Sequence, residues 1–304
     1  MGINLKSQIW QATRDIKHKK TRDALRQRCR GYIVWARENQ IHDFSKEHVQ
    51  QYYNHEKKHG KLAETTLHNY TKALCHVGGY SFSEIEHDKR IQKLTRSRSD
   101  DKNMQGYAEE RSGRFERLVE AQRCIGIRRD ELARLKGRNL RTDESGHLCV
   151  EVERGKGGKY HLQRLLPEDE KTVKELFRGI GENENVFSAA ELNNKIDLHA
   201  KRSEHARRTY DYFAKRIENE QGYASELRKE VVRRWHEAHP KENLPRDLYY
   251  QLTRSTPYKL RGRIKKQAIE HDRPTEFNRL AVIATSVFSL SHWRSNVAIK
   301  HYLT

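Results

Sequence analysis

The chain has 304 residues and carries 61 Lys and Arg against 42 Asp and Glu, a formal charge of +19 that points to a polyanionic partner. Only 35% of residues are apolar and 34% are charged, yet the apolar ones recur at helical spacing, so the chain reads as folded, with a thin core and broad solvated faces. No run of about 18 apolar residues and no apolar leader in "MGINLKSQIWQATRDIKHKK" argue against a membrane span or secretion, and Lys6 stands where a myristoylation signal needs Ser or Thr.

Length suits about two domains. The first, residues 1–95, reads as short helices between polar turns. In "RDALRQRCRGYIVWARENQ", Leu25, Cys29, Tyr32, Ile33 and Ala36 share one helical face. "FSKEHVQQYYNHEKKHG" opens on an N-cap at Ser45 and closes at Gly60, and "AETTLHNYTKALCHVGG" stops at Gly78-Gly79. The polar, aperiodic "TRSRSDDKNMQ" marks an interdomain linker at 96–106. From 107 to 304 the second domain begins as helix, tight turn at Gly126, helix. The clearest strand signal follows in "HLCVEVERGKGGKYHLQRLLP", where Leu148–Glu153 and Tyr160–Leu166 flank a glycine-rich hairpin loop. The remainder reads as helix, with an unusually charged stretch at 222–271. The fold class expected is mainly α, or α+β, with one small antiparallel sheet. Cys29, Cys75, Cys124 and Cys149 are far apart and form no C-x-x-C, so neither a zinc site nor a disulfide framework is indicated, and a reducing compartment fits.

No D-x-D, H-x-H or clustered-carboxylate pattern stands out as a two-metal site. Instead, cations and donors sit beside structural punctuation. Arg128 in "GIRRDELARL" follows Gly126 at a helix start, where the amide ends favour phosphate. Lys156 lies at the tip of the "GKGGK" hairpin. His199 and Arg202 in "DLHAKRSEHARR" share one face at the start of another helix. Taken singly, each has a commonplace role: a surface arginine, a turn lysine, a structural histidine. The final "LSHWRSNVAIKHYLT" adds a His-Trp pair and a Tyr at a chain end, where order usually fades.

In this order, G-x-R-x-x-E-L, G-K-x-x-K after a strand, H-x-x-R, His-Trp and a C-terminal Tyr, the residues resemble the tyrosine recombinase (phage integrase) family. The resemblance covers about 107–304 as catalytic domain, and the helical residues 1–95 suit that family's core-binding, DNA-clamping domain. It implies catalytic roles for Arg128, Lys156, His199, Arg202, Trp293 and Tyr302. Tyr302 attacks the scissile phosphorus to give a 3′-phosphotyrosyl link and a 5′-hydroxyl. Arg128 and Arg202 hold the non-bridging oxygens; His199 and the Trp293 indole N–H add contacts, and His199 assists removal of the Tyr302 proton. Lys156 protonates the departing oxygen, a task for a titratable amine, with Lys159 a second candidate. Glu131 positions Arg128. No metal or nucleotide cofactor is implied.

Several readings stay open. His205 and Arg208 repeat the H-x-x-R spacing, although the apolar "IDLH" lead-in favours His199 and Arg202. Either member of His292-Trp293 suits the His-or-Trp position, and the nine-residue spacing to Tyr302 favours Trp293. The long stretch between Arg202 and Trp293 makes 222–271 an insert that contacts DNA or a neighbouring subunit, or else a solvated helical pair. Nothing remains after Leu303 to donate to a neighbour, so coupling between protomers uses another surface or the chain is truncated. The implied activity is site-specific DNA recombination, integration or excision of a bacterial mobile element, in the cytoplasm at the nucleoid. The implied partner is duplex DNA with inverted sites, bound as a dimer and synapsed as a tetramer. The rivals are a type IB topoisomerase and a DNA-binding regulator without catalysis.

Overall fold

The computed structural model describes residues 4–60, 62–88 and 104–304. The chain divides into two compact units, Met1–Gln92 and Lys93–Thr304. Most of the expected 96–106 linker lies outside the described residues, and its last three positions begin a helix.

Among its described residues the first unit has helices alone: α1 (Leu5–Thr13), α2 (Lys19–Arg28), α3 (Arg30–Glu38), α4 (Lys46–His59) and α5 (Glu64–Gly78), then a 3-10 turn at Phe82–Glu84. Ser45 caps α4 by accepting the His48 amide, and Gly79 ends α5 in the left-handed conformation (φ +78°) that a side chain would disfavour. The helix read across Leu25 to Ala36 is broken at Cys29, which separates α2 from α3. Next to the break, Gly31 leaves room for the Tyr52 hydroxyl, 2.6 Å from where a β-carbon would stand. The core is aromatic, with Tyr32 stacked on Phe44 at 4.9 Å and edge-on to Tyr52 at 5.3 Å.

The second unit runs α6 (Met104–Arg111), α7 (Glu116–Ile125), α8 (Arg129–Leu132), β1 (Leu140–Thr142), β2 (Leu148–Val152), β3 (His161–Arg164), α9 (Glu170–Phe177), α10 (Ala189–Leu192) and α11 (Leu198–Asn219). It continues with α12 (Tyr223–Ala238), α13 (Arg246–Thr253), β4 (Tyr258–Lys259), α14 (Gly262–Glu270), β5 (Glu276–Phe277), α15 (Arg279–Phe288) and α16 (Ser295–Ala298), and ends in a π-helical turn at Ile299–Leu303. The architecture is mainly α with a small antiparallel sheet. The hairpin β2–β3 pairs Val150 with Gln163, and β1 joins its outer edge through Leu140 and Val150. β1 was not expected, nor was the two-stranded β4–β5 ribbon, which pairs Tyr258 with Phe277.

The charged stretch at 222–271 is anchored to the unit, which excludes a merely solvated helical pair. Leu227, Val231 and Trp235 of α12 and Leu248 and Leu252 of α13 pack into one apolar cluster with α15. On the sheet side, the buried Arg164 of β3 donates to Asp143 and to Glu230 of α12 and lies over Phe288. The long helix α11 packs against α7, α15 and the terminal turn, and so gathers the segments that carry the candidate residues.

Candidate active site

Helix α7 ends at Gly126 (φ +67°), and a β-carbon there would overlap the His205 ring. Glycine therefore serves twice at this turn, by conformation and by space. The turn aims the Gly126 carbonyl at α11, where it accepts from Arg202 Nη1 at 2.5 Å. The other terminal nitrogen, Arg202 Nη2, donates to Leu290 O at 2.8 Å, so one guanidinium joins the end of α7 to the segment after α15. Arg202 is 1% exposed, and its burial pulls the guanidinium pKa down against the opposing influence of Tyr302.

Arg128 precedes α8. The Glu131 carboxylate accepts both its backbone N–H at 2.8 Å and its guanidinium at 2.7 Å. Burial would raise the Glu131 pKa, but the backbone bond and the Arg128 charge outweigh it and hold the carboxyl below its ordinary value. A buried, ionised glutamate thus fixes the direction of a half-buried arginine.

The terminal segment closes the site. Gln163 of β3 donates to the carbonyls of Ile125 and Ser289 and accepts from the Ser291 hydroxyl, tying sheet, α7 and tail together. Ser291 is left-handed (φ +58°), and the chain then turns so that the His292 amide bonds Ser286 O. Tyr302, 7% exposed, lies with its ring 5.3 Å from the His199 ring, 6.2 Å from the His292 ring and 5.6 Å from Arg202 Cζ. His199 is held at the start of α11 by Asp197, whose carboxylate accepts the His199 and Ala200 amides.

Four sequence-predicted residues, Arg128, His199, Arg202 and Tyr302, therefore fall in one cluster. Lys156 does not touch it; the side chain is exposed in the loop between β2 and β3. The base of that loop does reach the cluster, since a β-carbon at Gly155 would lie 3.2 Å from Glu131 Oε1. Trp293 is the clear difference. Its ring packs edge-on to Trp235 of α12 at 4.9 Å and near His239 at 5.8 Å, and it is His292 that lies beside Tyr302.

The alternative pair separates on geometry. His205 is fully buried, with Nδ1 against Arg123 O at 2.9 Å, and burial lowers its pKa to about 3. Arg208 binds Asp169 at 2.8 Å and Glu168 at 3.2 Å. Both brace α11 against α7 and the start of α9.

His161, the first residue of β3, escaped the sequence reading. Its ring lies near Arg128, Glu131 and Arg202, and burial, partly offset by Glu131, depresses its pKa to about 4. The only sequence signal was a histidine opening a strand directly after the lysine-bearing loop. Burial, then the charges of Arg202 and Arg128, lowers the His292 pKa to about 3. Its Nδ1 accepts the Arg294 amide at 3.4 Å, which leaves the proton of the neutral ring on Nε2. Among the described residues, His292 Nε2, His161 Nε2 and Arg202 Nε are buried nitrogens without a hydrogen-bond partner. The His292 Nε2–H and Arg202 Nε–H donors, buried beside Arg128, call for acceptor oxygens, which a phosphate supplies.

No family model matches the chain, and no curated protein matches it. Among solved structures, a crystal structure of XerA recombinase aligns over 97% of this chain and 92% of that chain, at 11% identity and a TM-score of 0.26. A likeness at that level carries no argument about either fold or activity.

Proposed function

We propose that the chain is a site-specific DNA recombinase that cuts and rejoins strands through a 3′-phosphotyrosyl intermediate. The observation that supports this reading is the Tyr302 ring beside His199, His292 and Arg202, next to buried nitrogens without a hydrogen-bond partner. Arg128 and Arg202 bind the non-bridging oxygens of the scissile phosphate, and His292 Nε2–H, in the role first given to Trp293, donates to charge developing on them. Tyr302 Oη attacks phosphorus as its proton passes to His199, and the bond to the 5′ oxygen breaks. Lys156, exposed on the glycine-rich β2–β3 loop, gives that oxygen its proton. The ester keeps the bond energy for rejoining. The residue 1–95 unit clamps the duplex, and two protomers on each inverted site synapse as a tetramer. The net charge of +19 suits a partner dense in phosphate.

Covalent trapping tests the reading. DNA flanking the gene, nicked near the cleavage point and incubated with chelator present, should give an SDS-resistant 3′ adduct with the wild type and none with Tyr302→Phe. Specific binding without an adduct would leave a non-catalytic regulator. Relaxation of supercoils without exchange between two sites would leave a topoisomerase.

A further inference from the structure

We infer that a basic groove built by the 222–271 insert beside the Tyr302 segment seats the phosphate backbone of a DNA strand, an inference that rests on the DNA-cleaving reading. The groove, about 820 Å³, is lined by Arg254, Lys259, Arg261, Lys265, Arg279 and Lys300 over a floor that includes Tyr258 and Ile264. No carboxylate lines it among the described residues. Lys259 is neutralised by Glu276 across the β4–β5 ribbon at 2.9 Å, but Arg254, Arg261, Lys265 and Lys300 have no ion-pair partner among the described residues.

The cations are set in place rather than scattered. Arg279 donates to Thr256 O at 2.9 Å and to Gln251 at 2.7 Å, and Arg254 lies over the Tyr250 ring at 4.9 Å. Burial, then the Arg254 charge, lowers the Arg279 pKa against the opposing influence of Tyr258, so two of the groove's positive charges act on each other. Such an arrangement costs free energy until an anion arrives. One phosphate satisfies two or three cations; this row runs from α13 through β4 and α14 to the terminal turn, so a chain of phosphates fits it. The groove reaches Lys300, which stands two residues before Tyr302 in the same π turn, so the strand it holds lies close in the chain to the nucleophile's segment. The insert thus adds phosphate contacts to the grip on DNA.

The test is duplex binding against NaCl concentration, using the full chain and gene-flanking DNA. The variant Arg261→Gln/Lys265→Gln/Lys300→Gln should lower the magnitude of the log K against log salt slope by about 2–3, and weaken binding roughly tenfold or more near 0.1 M salt. A matched variant of exposed cations elsewhere, Lys171→Gln/Arg178→Gln/Lys241→Gln, should change the slope by less than about 1. If the triple variant folds poorly, Arg261→Gln/Lys265→Gln, both on the exposed start of α14, should still lower the slope by about 2. A slope equal to that of the wild type overturns the inference while leaving the DNA reading intact. So does an unchanged slope with lost self-association in sedimentation, which would make the groove a seat for an acidic surface of a second copy. A wild type that binds no DNA overturns the DNA reading itself.

Discussion

His199 and Tyr302 face each other with ring centroids 5.3 Å apart, one at the start of α11 and the other in the terminal π turn. Arg202, buried on the same helix as His199, lies 5.6 Å from the Tyr302 ring, and its bonds to Gly126 O and Leu290 O tie α11 to the end of α7 and to the segment after α15. Tyr302→Phe keeps the ring and its packing. It should abolish the covalent adduct while lowering unfolding free energy by about 1–3 kcal/mol, since the hydroxyl's interaction with the Arg202 guanidinium is lost. Chemical denaturation beside the trapping assay checks both halves.

Arg202→Lys should fail differently. An ammonium cannot reach both carbonyls and a phosphate oxygen in one plane, so at least one buried acceptor loses its donor at a cost of about 1–3 kcal/mol. Cleavage should fall by roughly 10² or more, in line with losing a preorganised donor to an oxyanion. A variant with full cleavage would show that Arg202 serves structure alone.

His292 and Trp293 should separate cleanly. His292→Ala removes a donor beside Tyr302 and should lower single-turnover cleavage by about 10²–10³ with little loss of stability. Trp293→Ala empties space against Trp235 and His239 and should destabilise by about 2–4 kcal/mol, with cleavage by the surviving folded protein near that of the wild type. Because the two indoles touch, Trp235→Ala and Trp293→Ala should be less than additive in a double-mutant cycle.

Much of this site was legible because its residues adjoin punctuation that sequence displays. Gly126 announces the turn before Arg128, and the apolar lead-in "IDLH" announces the helix bearing His199 and Arg202. What stayed hidden depends on geometry without a local signature. Counting nine residues back from Tyr302 selects Trp293 by number alone, and nothing in "SHWRSN" reveals that the Trp293 ring turns to Trp235 while the His292 ring lies beside Tyr302. His161 opens β3 without any motif around it, and its place is seen only when its ring lies near Arg128, Glu131 and Arg202. Strands of two or three residues, such as β1, β4 and β5, are too short for alternation to register. The break at Cys29 likewise leaves the apolar spacing intact on both sides.

Stability should fall as pH drops from about 7 towards 5. His161, His205 and His292 have folded pKa values of about 4, 3 and 3, all below the ordinary value near 6.5. The unfolded chain therefore binds more protons between those limits, so acidification favours unfolding, by about 2 kcal/mol per ring at pH 5. Replacing the wholly buried His205 with Asn should lower stability at neutral pH yet flatten this dependence. Thermal melts from pH 5 to pH 8 check the slope; equal slopes for both proteins would mean that His205 titrates normally.

Lys156 gives the sharpest chemical prediction because it stands outside the cluster and must close on it. The loop Gly155–Gly158 has left-handed glycines at Gly157 (φ +79°) and Gly158 (φ +76°), conformations that cost glycine little. If the amine supplies the proton to the departing 5′ oxygen, Lys156→Ala should lower cleavage by about 10²–10⁴. Replacing that oxygen with sulfur creates a leaving group that needs no proton, so the same variant should then cleave at nearly the wild-type rate. Arg128→Ala, which removes a contact to the non-bridging oxygens, should stay slow on the sulfur substrate. Rescue of both variants, or of neither, would remove Lys156 from the role of acid, and Lys159→Ala would be next for the same comparison.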